Sequence, residues 1–369
     1  MNNSNSKIWI FGGWSGFRYS DNSRYLFEYA AKQNGNRCIW LTRSKTVQAL
    51  ITSYGFEVYS FYSLQSLLLC LRADFLVICV SYIDLPFWAY LFPRKKKIIN
   101  LWHGTPLKRL DFKRSFINRT LRKLLLIFLG READMIISSS DLVTDTALTD
   151  YFDIARNKFL VTGYPRNDGL ITDEYYSKNK DSQRYILFAP TFREYDKNVD
   201  LFEYYGFDYL KIYSQLESTN SILFIKLHPR DAHKSKKLMS TFGLGNRIRL
   251  LTDSDIKYDI YSFLGSVDIL ITDYSSIYFD FLLLNRPVIF SAFDIQEYEN
   301  IDRGFYFNYD QTTPGLRAQS WDDIVNELQS LHEGHDKYKD ERSRVNKLMN
   351  TYTDAENSKR TYEGILELQ

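Results

Sequence analysis

Short apolar runs alternate with amphipathic segments along nearly the whole chain, and this alternation restricts the fold more than any other feature. Lys7–Phe11 and Arg37–Leu41 have the pattern of strands, and helical patterns at Asp21–Gln33 and Lys45–Ser53 follow them. Strands that alternate with helices predict a parallel sheet covered on both faces. Further strands are predicted at 56–60, 75–80, 97–102 and 135–138.

The segment Phe159–Leu170 interrupts the pattern with Gly, Pro, Asn and Asp, which predicts a domain boundary or hinge. The alternation then restarts, and after Pro314-Gly315 the chain has a helical pattern to its end, with Ser320 as a predicted helix cap. The second set of predicted elements comprises strands at 185–189, 222–227, 247–251, 269–272 and 287–290 and helices at 201–217, 234–241, 258–264 and 276–284.

These patterns predict an α/β fold with two Rossmann-like, doubly wound parallel-sheet domains, residues 1–162 and 163–369. In such folds, ligands bind beyond the carboxyl ends of the strands. We therefore expect the functional site in a cleft between the two halves.

Charge and cysteine content exclude several classes of protein. The net charge of +2 disfavours a generally basic nucleic-acid binder. Cys38, Cys70 and Cys79 lack CxxC spacing, so we expect a reducing compartment and neither a disulfide framework nor a zinc site. The longest apolar runs have six residues, whereas a membrane span needs about 20, and the start lacks a secretory signal pattern. The protein is expected to be cytosolic or to lie on a membrane surface.

The first polar motif is Leu101–Lys108, at the end of an apolar strand. Gly104 and Pro106 predict a tight turn that presents His103 at the edge of the sheet. A neutral imidazole accepts a proton from a hydroxyl near pH 7, because its ordinary pKa is about 6.5. The alternative is a structural histidine that is hydrogen-bonded within the turn.

Two motifs of the second half are suited to phosphate. A strand delivers Lys226, His228 and Arg230 to one side, where three possible donors converge, although a solvated strand edge is the alternative. In the segment 269–280, Ser275 or Ser276 can cap a helix whose free N–H groups favour an anion, and simple capping is the alternative. Because Ser276 and Asp280 are four residues apart, they share a helix face.

A fourth motif, Ala189–Glu194, also follows a strand, and its Arg193 could bind a phosphate in bidentate fashion. The sequence has neither a GxxxxGK[ST] P-loop nor a GxGxxG motif. Asp253 and Asp255 have the spacing of a metal-binding pair, but helix capping explains them better because no other ligand accompanies them.

Taken together and in this order, the motifs resemble the CDP-glycerol glycerophosphotransferase family, which includes the teichoic-acid primases and polymerases. The resemblance spans nearly the whole chain. The matching segments are Tyr19–Asn22, WHGTPLK at 102–108, GYPRND at 163–168, APTFR at 189–193, KLHPR at 226–230, TDYSSIYFDF at 272–281 and RGFYFNYD at 303–310.

The resemblance implies a two-Rossmann fold of the GT-B type and a transfer that needs no metal or cofactor. It implies that His103 is the general base and that His228 is essential and lies at the donor diphosphate. It places Ser275 and Ser276 in the nucleotide-phosphate site. The remaining motif residues are assigned to the donor side (Arg193, Lys226, Arg230, Thr272, Asp273, Asp280) or to the acceptor side or hinge (Asp21, Asn22, Thr105, Arg166, Asn167, Asp168).

Residues 108–131 carry eight Lys or Arg residues and one Asp, a local charge of +7. A helical pattern there combines apolar positions with basic ones, which fits a helix in an anionic membrane interface. The acceptors of the family are built on a lipid carrier at the cytoplasmic leaflet, so the resemblance implies a peripheral location there. The alternative is a crossover helix with a solvated basic face. The basic positions are Lys113, Arg114, Arg119, Arg122 and Lys123.

The expected reaction transfers a polyol phosphate, with glycerol phosphate favoured, from a CDP-polyol donor to a hydroxyl of a lipid-linked saccharide or polyol-phosphate acceptor, with release of CMP. A CDP-ribitol enzyme would share every motif. A GT-B sugar transferase that uses a cytidine nucleotide is a second alternative, which WHGTPLK and APTFR disfavour. A non-catalytic nucleotide-binding or lipid-carrier-binding partner is the third, and the presence of both His103 and His228 argues against it.

Overall fold

The computed structural model describes residues 6–91, 96–109, 132–172, 183–193, 200–228, 245–256, 259–301 and 304–368. The chain divides into two compact units. Unit 1 comprises residues 1–105, 111–172 and 351–369, and unit 2 comprises residues 106–110 and 173–350. The predicted α/β fold with two parallel sheets is confirmed.

The sheet of unit 1 has seven strands among the described residues, and every pairing is parallel. The strand order is β3-β2-β1-β4-β5-β6-β7, so the order reverses between β1 and β4. Trp9, Ile10 and Phe11 of β1 are all fully buried, as expected where helices cover both faces of a parallel sheet. The strands are β1 (Lys7–Phe11), β2 (Asn36–Thr42), β3 (Val58–Ser60), β4 (Phe75–Ile78), β5 (Lys97–Asn100), β6 (Met135–Ser138) and β7 (Phe159–Val161).

The helices of unit 1 begin with polar caps and bury one apolar face. Ser44 and Ser63 accept hydrogen bonds from backbone N–H groups of α2 and α3, which satisfies donors that the first helical turn leaves free. The described helices of this unit are α1 (Asp21–Ala30), α2 (Lys45–Ser53), α3 (Leu64–Arg72), α4 (Asp141–Val143), a π-helical turn (Thr144–Leu148), α5 (Thr149–Phe152), α6 (Arg166–Thr172) and the C-terminal helix (Asn357–Leu366).

The C-terminal helix belongs to unit 1, although the sequence pattern assigned it to the second domain. The carboxylate of Asp168 on α6 accepts hydrogen bonds from the N–H groups of Asn357 and Ser358, at 2.8 and 2.7 Å, and so caps the helix. Tyr362 stacks on Trp9 of β1 with the ring centroids 5.5 Å apart. The predicted boundary at residue 163 therefore differs from the division in the structure, because these contacts are distant in sequence.

The sheet of unit 2 has six strands in its described part, all paired in parallel, in the order β10-β9-β8-β11-β12-β13. The order reverses between β8 and β11. On one face lies an aromatic cluster in which Trp321 packs against Phe188, Phe202 and Phe207. The strands are β8 (Arg184–Phe188), β9 (Ser221–Ile225), β10 (Ile248–Leu250), β11 (Ile269–Thr272), β12 (Val288–Phe290) and β13 (Leu316–Arg317).

Helix α12 confirms the predicted cap: the Ser320 side chain accepts from the N–H of Asp323, whose carboxylate accepts from the N–H of Ser320. The described helices of unit 2 are α7 (Tyr209–Ser218), α8 (Tyr261–Leu264), α9 (Ile277–Phe281) with a 3₁₀ turn (Leu282–Leu284), α10 (Ile295–Ile301), α11 (Tyr309–Thr312), α12 (Trp321–His332) and α13 (Lys339–Met349).

Two predictions for unit 2 were wrong. The predicted helix at 201–217 is a 3₁₀ turn at Glu203–Tyr205 followed by α7, because Gly206 adopts a left-handed φ of 80° and Asp208 caps a new helix. The tail after Gly315 is not wholly helical, since β13 pairs with β12. The predicted helix at 234–241 and most of the basic stretch, from residue 110 to 131, lie outside the described residues. Within the described part of the chain, no helix is long and apolar enough to cross a membrane.

Candidate active site

His103 lies beyond the carboxyl end of β5 in unit 1, and Asn22 fixes the backbone that carries it. The Asn22 side-chain amide is fully buried and donates to the carbonyl oxygens of Leu101, at 3.0 Å, and Trp102, at 2.8 Å. Its Oδ1 accepts from the N–H of Arg166 at 3.2 Å. Asn22 therefore joins the first turn of α1, the segment that carries His103 and the start of α6.

A buried ion pair supports the same segment. Arg166 donates from Nη1 to Asp21 Oδ1 at 2.8 Å and to the His103 carbonyl oxygen at 2.9 Å. A Cβ placed on Gly104 would lie 2.3 Å from Arg166 Nη2, and Gly104 has a φ of 120°, so only glycine fits this position. Asp21 and Arg166, which the family resemblance assigned to the acceptor side or hinge, thus act through the backbone of His103.

Thr105, Asn167 and Asp168 are further motif residues of unit 1. Thr105 is buried and its hydroxyl lies 3.0 Å from the hydroxyl of Ser139, so it ties the turn after His103 to the loop after β6. Asn167 is buried in α6. Asp168 caps the C-terminal helix, as described above. Thr105 therefore supports the turn after His103, and Asp168 supports the C-terminal helix.

The imidazole of His103 is partly exposed and poor in polar partners. Its Nδ1 is buried, and no residue in the described part of the chain lies within hydrogen-bond distance of it. Burial lowers the pKa of His103 to about 4; nearby Asp21 opposes this shift and Arg166 adds to it. The imidazole is therefore neutral near pH 7. Because Nδ1 is buried, a role in proton transfer would fall to Nε2.

The low pKa of His103 predicts how stability depends on pH. An exposed histidine in the unfolded chain has a pKa of about 6.5, so between pH 6.5 and pH 4 the unfolded state binds more protons than the folded state. The stability that the neutral ring contributes is present above pH 6.5 and is lost as the pH falls toward 4. Relative to His103→Asn, the wild-type free energy of unfolding is expected to fall by up to about 3 kcal/mol between pH 7 and pH 4.5.

Urea unfolding of both proteins at the two pH values measures this difference. Because every other titratable group is shared, the comparison isolates His103. Equal changes in the two proteins would show that the ring is solvated like an ordinary surface histidine.

In unit 2, the carboxylate of Asp273 joins the ends of β8 and β11, the two strands at which the order reverses. It accepts from the N–H of Thr191 at 2.9 Å and from the N–H of Tyr274 at 2.5 Å. The hydroxyl of Thr272 donates to the carbonyl oxygen of Ala189 at 2.8 Å. Asp273 and Thr272 are fully buried, so they shape the loops and do not face a ligand.

Arg193 is placed differently from the prediction that it binds phosphate. Its guanidinium is 1% exposed and donates from Nε and Nη2 to the two oxygens of Asp294, at 2.6 and 2.8 Å. Nη1 donates to Asp273 at 2.6 Å. The bidentate partner of Arg193 is therefore a carboxylate of the protein itself. The motif indicates that Arg193 binds an anion, but the sequence does not show which anion it is.

Ser275 and Ser276 remain half-buried at the start of α9. In the described part of the chain, the Ser275 hydroxyl accepts from the N–H of Ile277 at a long 3.5 Å, and Ser276 makes no side-chain capping bond to its helix. Asp280 is buried and accepts from the hydroxyl of Tyr261 at 2.7 Å, so it anchors α9. The two serines are therefore less buried than Thr272, Asp273 and Asp280 of the same motif.

The motif after β9 likewise contains one residue that pairs within the protein and one that is exposed. Lys226 Nζ forms an ion pair with Asp253 at 2.8 Å, which gives that carboxylate a role other than the predicted helix cap. Asp255 accepts from Thr252 and closes a turn. His228 is exposed, with its ring 5.4 Å from the ring of Phe192. Arg230 lies outside the described residues.

His228 and the serine pair follow strands of one sheet edge. His228 comes after β9, Phe192 after β8 and Ser275 after β11, and these three strands are adjacent and parallel. The carboxyl ends of adjacent parallel strands lie at the same edge of the sheet, which is where open α/β folds bind ligands.

The WHGTPLK motif is divided between the two units, since residues 102–105 belong to unit 1 and 106–108 to unit 2. Leu107 accepts through its carbonyl oxygen from the N–H of Tyr306, and the N–H of Arg109 donates to Gly304. Lys108 pairs with Phe305 and places Nζ 5.0 Å from the centre of the Tyr298 ring. The second half of the motif is thus held by the RGFYFNYD motif of unit 2.

Comparison with known proteins decides the family. The model of the family described as CDP-Glycerol:Poly(glycerophosphate) glycerophosphotransferase matches residues 1–367. The chain belongs to this family. It is therefore an enzyme, a transferase of the glycerophosphotransferase family, and the resemblance seen in the motifs is confirmed.

The relatives of this glycerophosphotransferase include proteins of similar and of greater length. The chain is 26% identical to the teichoic acid glycerol-phosphate transferase of Staphylococcus aureus (strain NCTC 8325 / PS 47), over 98% of the chain and 94% of that protein. It is 29% identical to the teichoic acid poly(glycerol phosphate) polymerase of Bacillus subtilis (strain 168), over 88% of the chain but only 44% of that protein. Ribitol-phosphate primases and polymerases are also among the relatives.

The fold matches solved structures of the wall teichoic acid polymerase TagF. One of these, from a 15-minute soak with CDPG, gives a TM-score of 0.77 at 23% identity and covers 100% of the chain and 90% of that structure. At this identity the likeness supports the GT-B-like fold of the glycerophosphotransferase and nothing finer.

Sequence reasoning missed two residues that shape these sites. Asp294 is buried opposite Arg193, but it stands 101 residues away in the sequence and belongs to no motif. Asp84 is fully buried and accepts from four backbone N–H groups, of Ser15, Cys79, Val80 and Ser81. An acidic residue between apolar segments was the only available signal for either.

Proposed function

We propose that this glycerophosphotransferase transfers a polyol phosphate from a CDP-polyol to a hydroxyl of a lipid-linked saccharide or polyol-phosphate acceptor in teichoic-acid-like polymer synthesis. The observation that supports this most strongly concerns His103, a neutral, partly exposed imidazole whose backbone is held by hydrogen bonds from Asn22 and Arg166. A general base must be deprotonated and held in place before the hydroxyl arrives.

The proposed step is an in-line phosphoryl transfer. The acceptor oxygen forms a bond to the donor phosphorus nearest the polyol, and the bond from that phosphorus to the oxygen of CMP breaks. His103 Nε2 takes the hydroxyl proton, and CMP leaves with the electron pair. The step needs no oxidant or reductant, so positioning and electrostatic stabilisation carry the rate.

We assign the donor diphosphate to the sheet edge of unit 2. The half-buried hydroxyls of Ser275 and Ser276 and the exposed ring of His228 are the groups there that can meet phosphate oxygens. A His228 imidazolium would place a positive charge at the leaving group. Arg193, Thr272, Asp273 and Asp280 are buried and stabilise the loops and the helix that carry this motif, and Lys226 forms an ion pair with Asp253.

Glycerol is the polyol that we assign to the donor, because the family model and the relative of similar length both carry that name. Ribitol is the second candidate, favoured by ribitol-phosphate relatives such as a primase of Bacillus spizizenii. The test is to supply CDP-glycerol and CDP-ribitol separately, with a lipid-linked disaccharide, and to measure CMP release. We expect release from CDP-glycerol that depends on the acceptor. Release from neither donor would contradict the proposal. Release from CDP-ribitol alone would identify ribitol as the polyol of the donor.

The assignment of the donor site is tested by mutation. Ser275→Ala with Ser276→Ala, and separately His228→Ala, are expected to weaken CDP binding measured by calorimetry. Each lost charge-assisted hydrogen bond costs roughly 1.5–3 kcal/mol, which corresponds to at least a tenfold loss of affinity. Unchanged affinity in both variants would place the diphosphate elsewhere.

We also propose that the enzyme lies on an anionic membrane surface. The support is sequence alone: the charge of +7 in residues 108–131. Each basic residue near an anionic surface contributes about 1 kcal/mol, and salt screens the attraction. Replacing Lys113, Arg114, Arg119, Arg122 and Lys123 by Gln is expected to release the protein from vesicles rich in anionic lipid.

Vesicle sedimentation at low and high salt measures this release. Activity on a short water-soluble acceptor should survive in the variant, because the nucleotide motifs lie elsewhere in the sequence. If the wild-type protein does not bind anionic vesicles at low salt, the membrane proposal fails.

A further inference from the structure

The loop after β1 holds an aromatic side chain in an unusual backbone conformation. Trp14 has a φ of 48° and Ser15 a φ of 58°, both in the left-handed region that favours glycine. Glycine adopts this conformation without strain, yet the two left-handed positions hold Trp and Ser although Gly12, Gly13 and Gly16 are close by. Left-handed non-glycine residues concentrate at functional sites, where the surrounding structure enforces them.

Asp84 enforces this conformation. Its carboxylate is fully buried, accepts from the N–H of Ser15 at 2.7 Å and also binds the N–H groups of Cys79 and Val80 at 3.0 and 2.7 Å. A Cβ on Gly12 would lie 2.1 Å from the carbonyl oxygen of Asp84, so the loop is packed directly against this residue. The loop is a fixed part of unit 1 and holds Trp14 in one place.

The indole that this loop presents is not a core residue. Trp14 is 38% exposed, and its ring lies 6.2 Å from the imidazole of His103 in an edge-to-face arrangement of 62°. The guanidinium of Arg18 lies over the ring at 5.7 Å. Interior packing does not explain the strained backbone of Trp14 and Ser15, because the indole that it holds beside His103 is partly exposed.

The chemistry of a flat indole selects among the two acceptor classes named above. A pyranose ring has an apolar face of C–H groups that can lie on an aromatic ring at van der Waals distance, about 3.5–4 Å. Its hydroxyls point outward from that face, toward a neighbouring base. A polyol phosphate is a flexible charged chain without such a face, so an indole offers it little.

We propose that Trp14 is an acceptor-binding residue on which a pyranose ring lies, with one hydroxyl directed to His103, so that the acceptor of this enzyme ends in a saccharide. This inference rests on the proposed function and narrows its acceptor. It assigns the chain to the first addition of polyol phosphate to a sugar, as opposed to the extension of a polyol-phosphate chain.

The test compares two water-soluble acceptors, a short-chain lipid-linked disaccharide and the same compound already carrying a terminal glycerol phosphate. For Trp14→Ala we expect the KM for the disaccharide to rise by about three- to tenfold, as the loss of one aromatic contact predicts. The CDP affinity should stay unchanged. Trp14→Tyr, which keeps a ring, should restore most of the affinity. Phe17→Ala is the matched control, since Phe17 is 55% exposed in the same segment, and its KM should match the wild type.

Each outcome decides a separate claim. If the wild-type enzyme transfers to neither acceptor, the proposed function fails. If it transfers but Trp14→Ala leaves the KM for the disaccharide unchanged, or raises the KM for both acceptors equally, the saccharide assignment is overturned. A thermal melt shows whether Trp14→Ala folds. If it does not fold, the KM of Trp14→Tyr for the disaccharide is measured instead, together with saturation-transfer NMR on the wild-type enzyme. Absence of contact between sugar C–H protons and aromatic protons would overturn the inference.

Discussion

Replacing His103 by alanine is expected to lower the rate of transfer by about 10²–10⁴ while CDP binds nearly as tightly as in the wild-type enzyme. The reason is the division of the chain. His103 belongs to unit 1, whereas Ser275, Ser276 and His228 all belong to unit 2. Calorimetry with CDP and a stopped assay of CMP release measure the two quantities separately.

The pH profile of the wild-type enzyme adds a second readout for His103. Because the pKa of the free imidazole is lowered to about 4, kcat/KM should not fall as the pH drops through 6.5, and the acid limb should appear below pH 5. Gly104→Ala is a useful companion variant, since it keeps the His103 side chain but shifts the backbone that carries it, because a Cβ at residue 104 would clash with Arg166. A His103→Ala enzyme with weakened CDP binding and normal turnover at saturation would place His103 at the donor.

Replacing Arg193 by methionine is expected to destabilise unit 2 by roughly 3–5 kcal/mol. The substitution keeps most of the side-chain volume but leaves the buried carboxylates of Asp273 and Asp294 without their cation. Hydrogen-exchange mass spectrometry localises the effect, because peptides from β8 and β11 should lose protection.

Arg317→Met is the matched control for Arg193→Met. Arg317 pairs with Asp310, but both side chains are exposed, by 47% and 76%, so the loss should stay below about 1 kcal/mol. If Arg193→Met unfolds like the wild type and binds CDP poorly, Arg193 is the phosphate ligand that its motif originally indicated.

Local sequence patterns predicted the elements that local physics determines. The bounds of β1, α2, β6 and β11 match the predicted ones, because each is an apolar run or periodic segment between clear breakers. The Ser320 cap could be predicted for the same reason. Strand β13 was missed, since two residues are too few to show a period and only its pairing with β12 makes it a strand.

The sequence names candidate reactive groups, whereas the residues that support them could not be predicted from it. His103, His228 and the serine pair stand in motifs, and the structure leaves all four at least partly accessible. The polar groups predicted beside them turned out to be buried partners of one another, as with Arg193 and Asp273. Sequence spacing cannot distinguish a phosphate from a buried carboxylate as the anion that an arginine meets. The left-handed conformations of Trp14, Asp21 and Trp102 were equally unreadable, because none is glycine.

The most direct test of the account is to weigh the acceptor after one turnover. Wild-type enzyme and His103→Ala, each saturated with CDP-glycerol, are mixed with a lipid-linked disaccharide, quenched and analysed by mass spectrometry. We predict that the acceptor gains one glycerol phosphate with the wild-type enzyme, with one CMP released per addition, and that the variant binds the donor but leaves the acceptor unchanged. An unmodified acceptor with the wild type, or equal modification by both proteins, would contradict it.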